Sequence, residues 1–320
     1  MSQRILVANR GEIAIRIARA AKELGHAVIT VAPDDDARSR HVQFGDEQGT
    51  LPGRGVGAYL DIASIVTAAK AARATAIHPG YGFLSESAAF SKACDDAGIV
   101  FIGPSPEALG LLGDKSRARA AASSIGAPIP PGIESPITPE DAEAFLASLG
   151  RGGAIMLKAV SGGGGRGTRP VRDASEIRRV FETCQAEALA AFGDGSLYAE
   201  ELIEFARHVE VQILRDRYGE VAHAFERECT LQRRRQKLIE IAPSPSIDDS
   251  MRKRLISAST KMADAVGLVG LSTFEFLVRP EGAGGEPFVF IEANPRLQVE
   301  HTISEEITGI DLVKAQIETA

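Results

Sequence analysis

Ten residues from Glu292 to His301 contain the side chains whose types and spacing are best suited to chemistry. They follow residues 288–291, an apolar run of aromatic and β-branched residues that is typical of a buried strand. If the chain stays extended, alternate side chains point to one face. Carboxylate and amide oxygens suit a hard cation, a guanidinium suits a planar oxyanion, and a further carboxylate can accept a proton. The predicted polar face consists of Glu292, Asn294, Arg296, Gln298 and Glu300.

An edge strand with one solvated face would also alternate charged and apolar residues. A hydrophobic strand usually enters from solvent, however, whereas this one would run out into five polar groups. We therefore favour a functional site over a solvated edge.

A second predicted strand, residues 273–277, supplies another carboxylate, Glu275, between two phenylalanines. The Gly- and Pro-rich residues 279–287 would return the chain as a hairpin. Glu275 and Glu292 would then lie on adjacent strands and, with Asn294, bind one or two Mg²⁺. This ion prefers few carboxylates together with nucleotide phosphates.

A glycine-rich loop follows a predicted strand that ends near Lys158, and it contains four consecutive glycines at 162–165. Glycines without Cβ atoms let backbone N–H groups close over phosphate oxygens, and Lys158 adds a point charge. The loop lacks the Gly-Lys-Ser/Thr of a P-loop and the prompt helix of a Rossmann turn. A flexible linker is the alternative, but it would not follow a buried strand. Lys115 is a second candidate phosphate contact, although such a lysine is usually a surface residue.

Two further polar segments lie between the core segments. Residues 207–213 alternate, which puts His208, Glu210 and Gln212 on one face. One histidine and one carboxylate are too few for zinc, so a polar site wall is the better interpretation. Residues 232–237 contain four cations in an acidic protein, and cations held together suggest a shared anion.

Composition excludes several classes of protein. The chain has 320 residues, 25% of them charged, and a net charge of −7, which disfavours a nucleic-acid surface. No apolar run approaches the roughly 18 residues of a membrane span, and the first residues resemble no signal peptide. Three widely spaced cysteines imply neither a disulfide framework nor a zinc site. We expect a cytoplasmic protein without a membrane or nucleic-acid partner.

The order of predicted elements indicates an α/β fold. Strands and helices alternate four times over roughly the first 100 residues, which predicts a parallel sheet with helices on both faces. The Pro- and Gly-dense residues 123–140 mark a boundary. A smaller α+β stretch follows over roughly residues 131–203, and residues 204–320 are predicted to be strand-rich until a final helix near 310–320.

Taken together, these residues resemble the biotin carboxylase component of biotin-dependent carboxylases, an ATP-grasp enzyme. The motifs at residues 8–13, 78–86 and 298–301 occur in the family's order and span essentially the whole chain. The resemblance implies a Rossmann-like (pre-ATP-grasp) domain followed by an ATP-grasp module with a small α+β lid and a larger antiparallel-sheet α+β domain. The implied bounds are 1–114, 115–203 with the glycine loop, and 204–320.

The resemblance also implies roles for individual residues, including ligands for two Mg²⁺ or Mn²⁺ ions. The implied ATP contacts are Lys115, Lys158, Gly164, Gly165, Glu200, Glu201, Leu202, Ile203, His208, Gln232 and Arg235. The implied metal ligands are Glu275, Glu292 and Asn294. The implied bicarbonate site is Lys237, Arg296, Gln298, Val299 and Glu300, of which Lys237, Arg296 and Glu300 are catalytic and Glu300 is the base.

The implied reaction makes carboxyphosphate from ATP and bicarbonate and then carboxylates carrier-bound biotin, as the first half-reaction of an acetyl-CoA, other acyl-CoA, pyruvate or urea carboxylase. The implied partners are a biotin carboxyl carrier, a carboxyltransferase and a second copy of the chain, with Arg16 and Arg19 at the dimer interface. An alternative is another bicarbonate-using ATP-grasp ligase of the carbamoyl-phosphate synthetase type, which the motifs at 236–237 and 298–301 disfavour.

Two departures from the family matter. Arg235 stands where the family often has His, which puts an ATP contact there in doubt. The family's C-terminal domain continues beyond residue 320 and carries there an Arg implied to stabilise the biotin enolate. The resemblance therefore leads us to expect a truncated, catalytically weak ATP-binding chain as a second alternative.

Overall fold

The computed structural model describes residues 2–133, 136–161, 167–233, 236–282 and 285–320. The first part of the chain forms a parallel sheet of five strands in the order β3-β2-β1-β4-β5. These strands are β1 (Arg4–Val7), β2 (Ala27–Ala32), β3 (Glu47–Thr50), β4 (Ala76–His78) and β5 (Val100–Phe101). The predicted alternation of strands and helices is confirmed. Strand β3 was not predicted because it contains no apolar residue.

Helices of this first part pack on the parallel sheet. The helices are α1 (Gly11–Glu23), α2 (Gly55–Ala58), α3 (Ile62–Ala71), α4 (Ala88–Asp96) and α5 (Pro106–Leu112), with a 3₁₀ turn at Arg40–Phe44. Helix α1 buries Ile13 and Ile17, which are spaced four residues apart and therefore lie on one face. The face packs against strand residues Ile5 and Val7 in one hydrophobic cluster.

A smaller antiparallel sheet with strand order β6-β9-β7-β8 follows. Its strands are β6 (Gly132–Ile133), β7 (Ile155–Ala159), β8 (Thr168–Val171) and β9 (Leu197–Glu201). Two helices pack on it, α7 (Pro139–Ser148) and α8 (Ile177–Phe192), with a 3₁₀ turn at Ala174–Glu176. Helix α7 begins with a capping box between Thr138 and Asp141, which satisfies backbone donors at its first turn. The predicted small α+β unit is confirmed.

The third sheet is antiparallel and has the order β12-β11-β10-β13-β14. Its strands are β10 (Arg207–Arg215), β11 (Val221–Arg233), β12 (Gln236–Ile241), β13 (Gly270–Val278) and β14 (Phe288–Asn294). The remaining helices are α6 (Lys115–Ser124), α9 (Asp249–Ala265), α10 (His301–Thr308) and α11 (Leu312–Glu318).

Residues 204–320 were predicted to be strand-rich until a final helix near 310–320, and the structure adds helices α9 and α10 before that helix. Helix α9 has 17 residues, and its buried face mixes Leu255 and Met262 with small residues such as Ser259. This weak apolar contrast hides a helical period from the sequence. Helix α10 is also present, and Gly309 ends it in the left-handed conformation.

Helix α6 packs with the third sheet. Its Ala118 and Ala122 belong to the same hydrophobic cluster as Phe274 and Phe276 of β13. The domain bounds at residues 114 and 203 stay predictions, although this contact groups α6 with the later part of the chain.

The first and third sheets share a hydrophobic cluster as well. Leu297, which follows β14, is buried in one cluster with Ile13 and Ile17 of α1 and with Val313 of α11. The segment that carries the predicted site is therefore anchored between the two parts of the chain. Over the described residues, no helix has both the length and the apolar character needed to cross a membrane.

Candidate functional site

Glu275 and Glu292 face each other on neighbouring strands of the third sheet. They are register partners on β13 and β14, which confirms the predicted hairpin. Glu275 Oε1 accepts a hydrogen bond from Asn294 Nδ2 at 2.8 Å, and Glu275 Oε2 lies 2.6 Å from Nε2 of His208 on β10. The three predicted metal ligands therefore converge at the end of one hairpin.

Burial raises the pKa of both carboxyl groups, but their neighbours separate the two pKa values. At Glu275, the charges of His208 and Lys237 more than offset burial and hold the pKa below its ordinary value. At Glu292, burial and the Glu275 charge raise the pKa, and the nearby lysines offset this only partly. The carboxylates of buried Glu275 and half-buried Glu292, with the amide oxygen of Asn294, are hard oxygen ligands that fit Mg²⁺ or Mn²⁺.

Lys237 on β12 joins carboxylates from three other elements. Its Nζ donates to Glu210 Oε2 at 2.5 Å, to Glu275 Oε1 at 3.2 Å and to Glu300 Oε1 at 2.6 Å. Burial lowers the pKa of Lys237, but the charges of Glu275 and Glu210 raise it by more than burial lowers it. The ammonium therefore keeps its charge. At Glu300, burial raises the pKa and Lys237 more than reverses this, which leaves an ionised carboxylate.

Two other groups of donor atoms among the described residues are close enough to hold a metal. One is His208, Glu210 and Glu275, and the other is Glu210, Cys229 and Glu300. Because Lys237 Nζ bonds to members of both groups, an ammonium already partners these carboxylates. Glu275 shares this ammonium, but it also faces Glu292, whose pKa is raised by burial and by the Glu275 charge, so Glu275 with Glu292 and Asn294 is the better cation site.

The predicted strand from Glu292 to residue 300 ends at Asn294, so the predicted alternation beyond that residue was wrong. Pro295 has no N–H to donate to a neighbouring strand, and the chain turns. Val299, predicted to lie on the apolar face, has 63% of its surface exposed. Glu300 instead stands at the N-cap of α10. The polar side chains meet through a turn and a helix start.

Arg296 lies among oxygen acceptors. Its Nε donates to Glu86 Oε1 at 2.7 Å and its NH2 donates to Asn294 Oδ1 at 3.1 Å, while NH1 is 3.4 Å from Gln298 Oε1. Gln298 Nε2 is buried without a hydrogen-bond partner among the described residues. An unsatisfied buried donor costs roughly 1–3 kcal/mol. This arrangement therefore favours an oxyanion beside Arg296 and Gln298.

A cluster of cations lies on the small sheet and α6. Lys158 on β7 forms an ion pair with Glu200 on β9, and Arg119 NH1 donates to the same carboxylate at 3.1 Å. Burial lowers the pKa of Lys158, but Glu200 raises it above the ordinary value. Burial also lowers the pKa of Lys115, and Glu292 offsets this only partly. Three cations around one carboxylate suit phosphate groups.

The predicted adenine contacts lie where β9 leaves the small sheet. Glu201 Oε2 accepts a hydrogen bond from Arg279 at 2.9 Å, and Leu202 N donates to Ala154 O at 2.8 Å. Ile203 is buried. These contacts fix the connection between the two antiparallel sheets, and adenine binding there stays a prediction.

Gln232 and His208, both predicted to contact ATP, touch each other. Gln232 Nε2 lies 2.7 Å from His208 Nδ1. Gly164, Gly165 and Arg235 lie outside the described residues.

Arg227 has no predicted role from the sequence, and Glu210 is predicted only as part of a polar site wall. Arg227 is completely buried, and its guanidinium donates to Glu210 at 2.6 Å, to Gln212 at 2.9 Å and to Ser304 at 2.9 Å. Glu210 and Arg227 are register partners on β10 and β11. The signal in the sequence that could have found it is a run of three charged residues, 226–228, inside a strand. This network holds the carboxylate that contacts Lys237.

Two family descriptions match the chain. Residues 1–109 match "Biotin carboxylase, N-terminal domain", and residues 114–320 match "Carbamoyl-phosphate synthase L chain, ATP binding domain". A biotin carboxylase from Nostoc sp. is 47% identical over 319 residues, which cover 99% of this chain and 70% of that protein. The mitochondrial pyruvate carboxylase of Homo sapiens is 50% identical over 321 residues, which cover 99% of this chain and 27% of that protein.

Solved structures agree with these matches. A biotin carboxylase from Campylobacter jejuni, in a complex described as β-γ-ATP, has a TM-score of 0.95 and 41% identity, covering 100% of this chain and 71% of that one. The biotin carboxylase domain dimer of the Hydrogenobacter thermophilus 2-oxoglutarate carboxylase, with MgADP and bicarbonate, has a TM-score of 0.94 and 41% identity. The match covers 100% of this chain and 69% of the Hydrogenobacter thermophilus domain. The chain spans about a quarter of the length of the pyruvate carboxylases that it matches, at 26–27%.

Proposed function

Because the chain belongs to the biotin carboxylase family, we propose that it catalyses the ATP-dependent carboxylation of carrier-bound biotin with bicarbonate. The observation that carries the proposal is the buried Gln298 donor, which has no partner among the described residues and lies beside Arg296, two residues before the Glu300 that pairs with Lys237. An oxyanion placed against Arg296 and Gln298 would lie beside a positive charge and a carboxylate base.

In the proposed reaction, bicarbonate attacks the γ-phosphate of ATP and forms carboxyphosphate and ADP. Two anions must approach each other, so the cations of Lys237 and Arg296 lower the barrier by offsetting their charge. Glu300 is ionised in its pairing with Lys237 and can accept the bicarbonate proton. The C–O bond of carboxyphosphate then breaks to give CO₂ and phosphate; N1 of biotin gives its proton to this phosphate and forms a bond to the carbon of CO₂. Val299 completes the proposed bicarbonate site.

The cations of the small sheet have the proposed role of holding the nucleotide. Lys115 and Lys158 would contact the ATP phosphates, and Glu200 would fix the Lys158 ammonium through their ion pair. Glu201, Leu202 and Ile203 are proposed to line the adenine, and His208 and Gln232 to complete the nucleotide site. Gly164, Gly165 and Arg235 are proposed contacts from the segments outside the described residues.

The proposed metal ligands are Glu275, Glu292 and Asn294, for Mg²⁺ or Mn²⁺ and for two ions. A divalent cation bound there would neutralise phosphate charge. The carboxylates themselves keep the neighbouring ammonium and imidazole charged, since Lys237 and His208 both bond to Glu275.

A biotin carrier, a carboxyltransferase and a second copy of the chain are the proposed partners. The similar Hydrogenobacter thermophilus domain is described as a dimer. Arg16, one of the two predicted interface residues, bonds within this chain to Glu305 at 3.0 Å and Asp311 at 2.7 Å. Arg19 stacks over Phe44 at 5.2 Å. A cytoplasmic location is also part of the proposal.

Bicarbonate-dependent ATP hydrolysis, measured with and without free biotin, tests the proposal. We expect ATP hydrolysis that requires bicarbonate and rises when biotin is added. Hydrolysis that does not change with biotin but rises with ammonia would favour a ligase of the carbamoyl-phosphate synthetase type. The family description that matches residues 114–320 is the reason to test this alternative. ATP binding without any hydrolysis would favour an ATP-binding fragment.

A further inference from the structure

Glu86 reaches the proposed bicarbonate site from the first part of the chain. Its Oε1 accepts the hydrogen bond from Arg296 Nε at 2.7 Å, across 210 residues of sequence. The other acceptors of Arg296 in the described chain are neutral oxygens: Asn294 Oδ1 at 3.1 Å, Leu297 O at 3.2 Å and Gln298 Oε1 at 3.4 Å. Glu86 therefore supplies the charged and shortest contact of this guanidinium.

The segment that carries Glu86 is held on both sides. Ser85 is buried and its N–H donates to Gly82 O at 2.9 Å. Ser87 caps α4 by accepting a hydrogen bond from Phe90 N at 3.1 Å. Asn9 Nδ2 holds the preceding loop by donating to the carbonyl oxygens of Pro79 and Tyr81 at 2.7 and 2.8 Å. The Glu86 carboxylate is thus presented from a fixed backbone.

The two edges of the Arg296 guanidinium differ as a result. The Nε group bonds to a charged carboxylate at 2.7 Å, so this edge is firmly held. The acceptors of NH1 and NH2 are neutral oxygens at 3.1 to 3.4 Å, so an incoming oxyanion can replace them. Gln298 Nε2, a buried donor without a partner among the described residues, adds a second donor beside this edge.

We infer that Glu86 is a positioning residue, which fixes the guanidinium of Arg296 so that its NH1 and NH2 groups face bicarbonate. The identity of the ligand rests on the proposed function. Glu86 acts through Arg296 and does not touch bicarbonate. Its removal therefore weakens bicarbonate binding and leaves nucleotide binding unchanged.

The test compares Glu86→Ala with Glu86→Gln, which keeps an oxygen acceptor for Arg296 Nε. Glu47→Ala is a matched control, because Glu47 also pairs with an arginine at 2.7 Å and has 49% of its side chain exposed, against 44% for Glu86. Bicarbonate binding is measured from the ¹³C line width of labelled bicarbonate in the presence of MgADP, and MgADP affinity is measured separately.

We expect Glu86→Ala to weaken bicarbonate binding about tenfold, the size expected for losing one charge-assisted hydrogen bond. MgADP affinity should change less than about twofold, and Glu86→Gln should bind bicarbonate within about threefold of the unchanged chain. In an Arg296→Lys background, Glu86→Ala should cause no further loss. Bicarbonate binding by Glu86→Ala that equals or exceeds that of the unchanged chain would overturn the inference. A further loss in the Arg296→Lys background would overturn it too.

A second readout separates this inference from the proposed function. The ¹⁵N-labelled Nε–H group of Arg296 should exchange faster with solvent in Glu86→Ala and be unchanged in Glu47→Ala. An Nε–H signal that Glu86→Ala leaves unchanged would overturn the inference by itself. Failure of the unchanged chain to bind bicarbonate would contradict the proposed function, and the Nε–H signal would still decide the position of Arg296.

Discussion

The small sheet and the third sheet present opposite balances of charge around their buried lysines. On the small sheet and α6, three cations surround one carboxylate, since Lys158 and Arg119 both pair with Glu200 and Lys115 lies nearby. On the third sheet, Glu210, Glu275 and Glu300 share the ammonium of Lys237. Arg227 also pairs with Glu210 and His208 with Glu275, while Glu292 faces Glu275 as a fourth carboxylate, so carboxylates outnumber cations there. We call these the cation-rich and carboxylate-rich ends of the candidate site.

The difference indicates which ligand each end can take. An excess of cations favours phosphate groups, and an excess of buried carboxylates favours a divalent cation. The two ends interact electrostatically. Burial and Glu275 raise the pKa of Glu292, and Lys115 and Lys158 lower it. A nucleotide with its metal satisfies both ends at once, and neither end is balanced alone.

The largest expected effect comes from the carboxylate-rich end, with Glu300→Gln. The amide cannot accept the bicarbonate proton, so bicarbonate-dependent ATP hydrolysis should fall about 10²–10⁴-fold while ATP affinity stays within about twofold. Steady-state hydrolysis and equilibrium nucleotide binding measure the two effects. Glu306→Gln, on the exposed face of the same helix, is the control. A large loss of ATP affinity would count against a role for Glu300 as base.

The cation-rich end is tested by Lys158→Gln. The change removes the charge that is proposed to face the ATP phosphates and leaves Glu200 with Arg119, so ATP affinity should fall about 10- to 100-fold. Equilibrium binding of ATP measures the loss, and Lys261→Gln on the exposed side of α9 is the control. Unchanged ATP affinity would break the assignment of phosphates to this end.

A smaller effect is expected for Glu292→Gln. The amide is a weaker ligand for a hard cation, so the Mg²⁺ concentration that half-saturates ATP hydrolysis should rise about tenfold. A titration of Mg²⁺ at fixed ATP measures this shift, with the exposed Glu286→Gln as control. If the Mg²⁺ titration does not move, the metal does not lie between Glu275 and Glu292.

The smallest expected effect provides a baseline for pH studies of either end. Burial lowers the pKa of His78 to about 3, from 6.5 when exposed. The unfolded chain therefore binds a proton below pH 6.5 that the folded chain does not, and the free energy of unfolding falls as pH falls through this window. The slope for one group is at most about 1.4 kcal/mol per pH unit. It fades as pH rises above 6.5, where the unfolded histidine also loses its proton.

His78→Asn should reduce that slope, because asparagine does not titrate and retains an acceptor for Gly80 N, which donates to His78 Nδ1 at 3.0 Å. Denaturant unfolding between pH 7 and 5.5 measures it. Equal slopes in the two proteins would show that His78 does not titrate on unfolding.

The sequence predicted the parts of the site that depend on local pattern. The pairing of Glu275 with Glu292 followed from two apolar strands joined by a Gly- and Pro-rich turn. The alternation after Asn294 failed because Pro295 ends the strand, and α9 was missed because its buried face contains small and polar residues.

Contacts between distant strands could not be predicted from pattern. Lys237 meets Glu210 and Glu300 only after the third sheet and α10 are assembled. The Glu86–Arg296 pair likewise joins parts of the chain that share no local signal. The resemblance to biotin carboxylases identified the residue types, and the structure supplied their partners.

A crystal structure of the chain with MgADP and bicarbonate tests the proposed site most directly. We predict bicarbonate within hydrogen-bonding distance of Arg296, Gln298 and Lys237, with the metal between Glu275 and Glu292. Bicarbonate bound away from Arg296, or a metal held instead by His208 and Glu210, would contradict it.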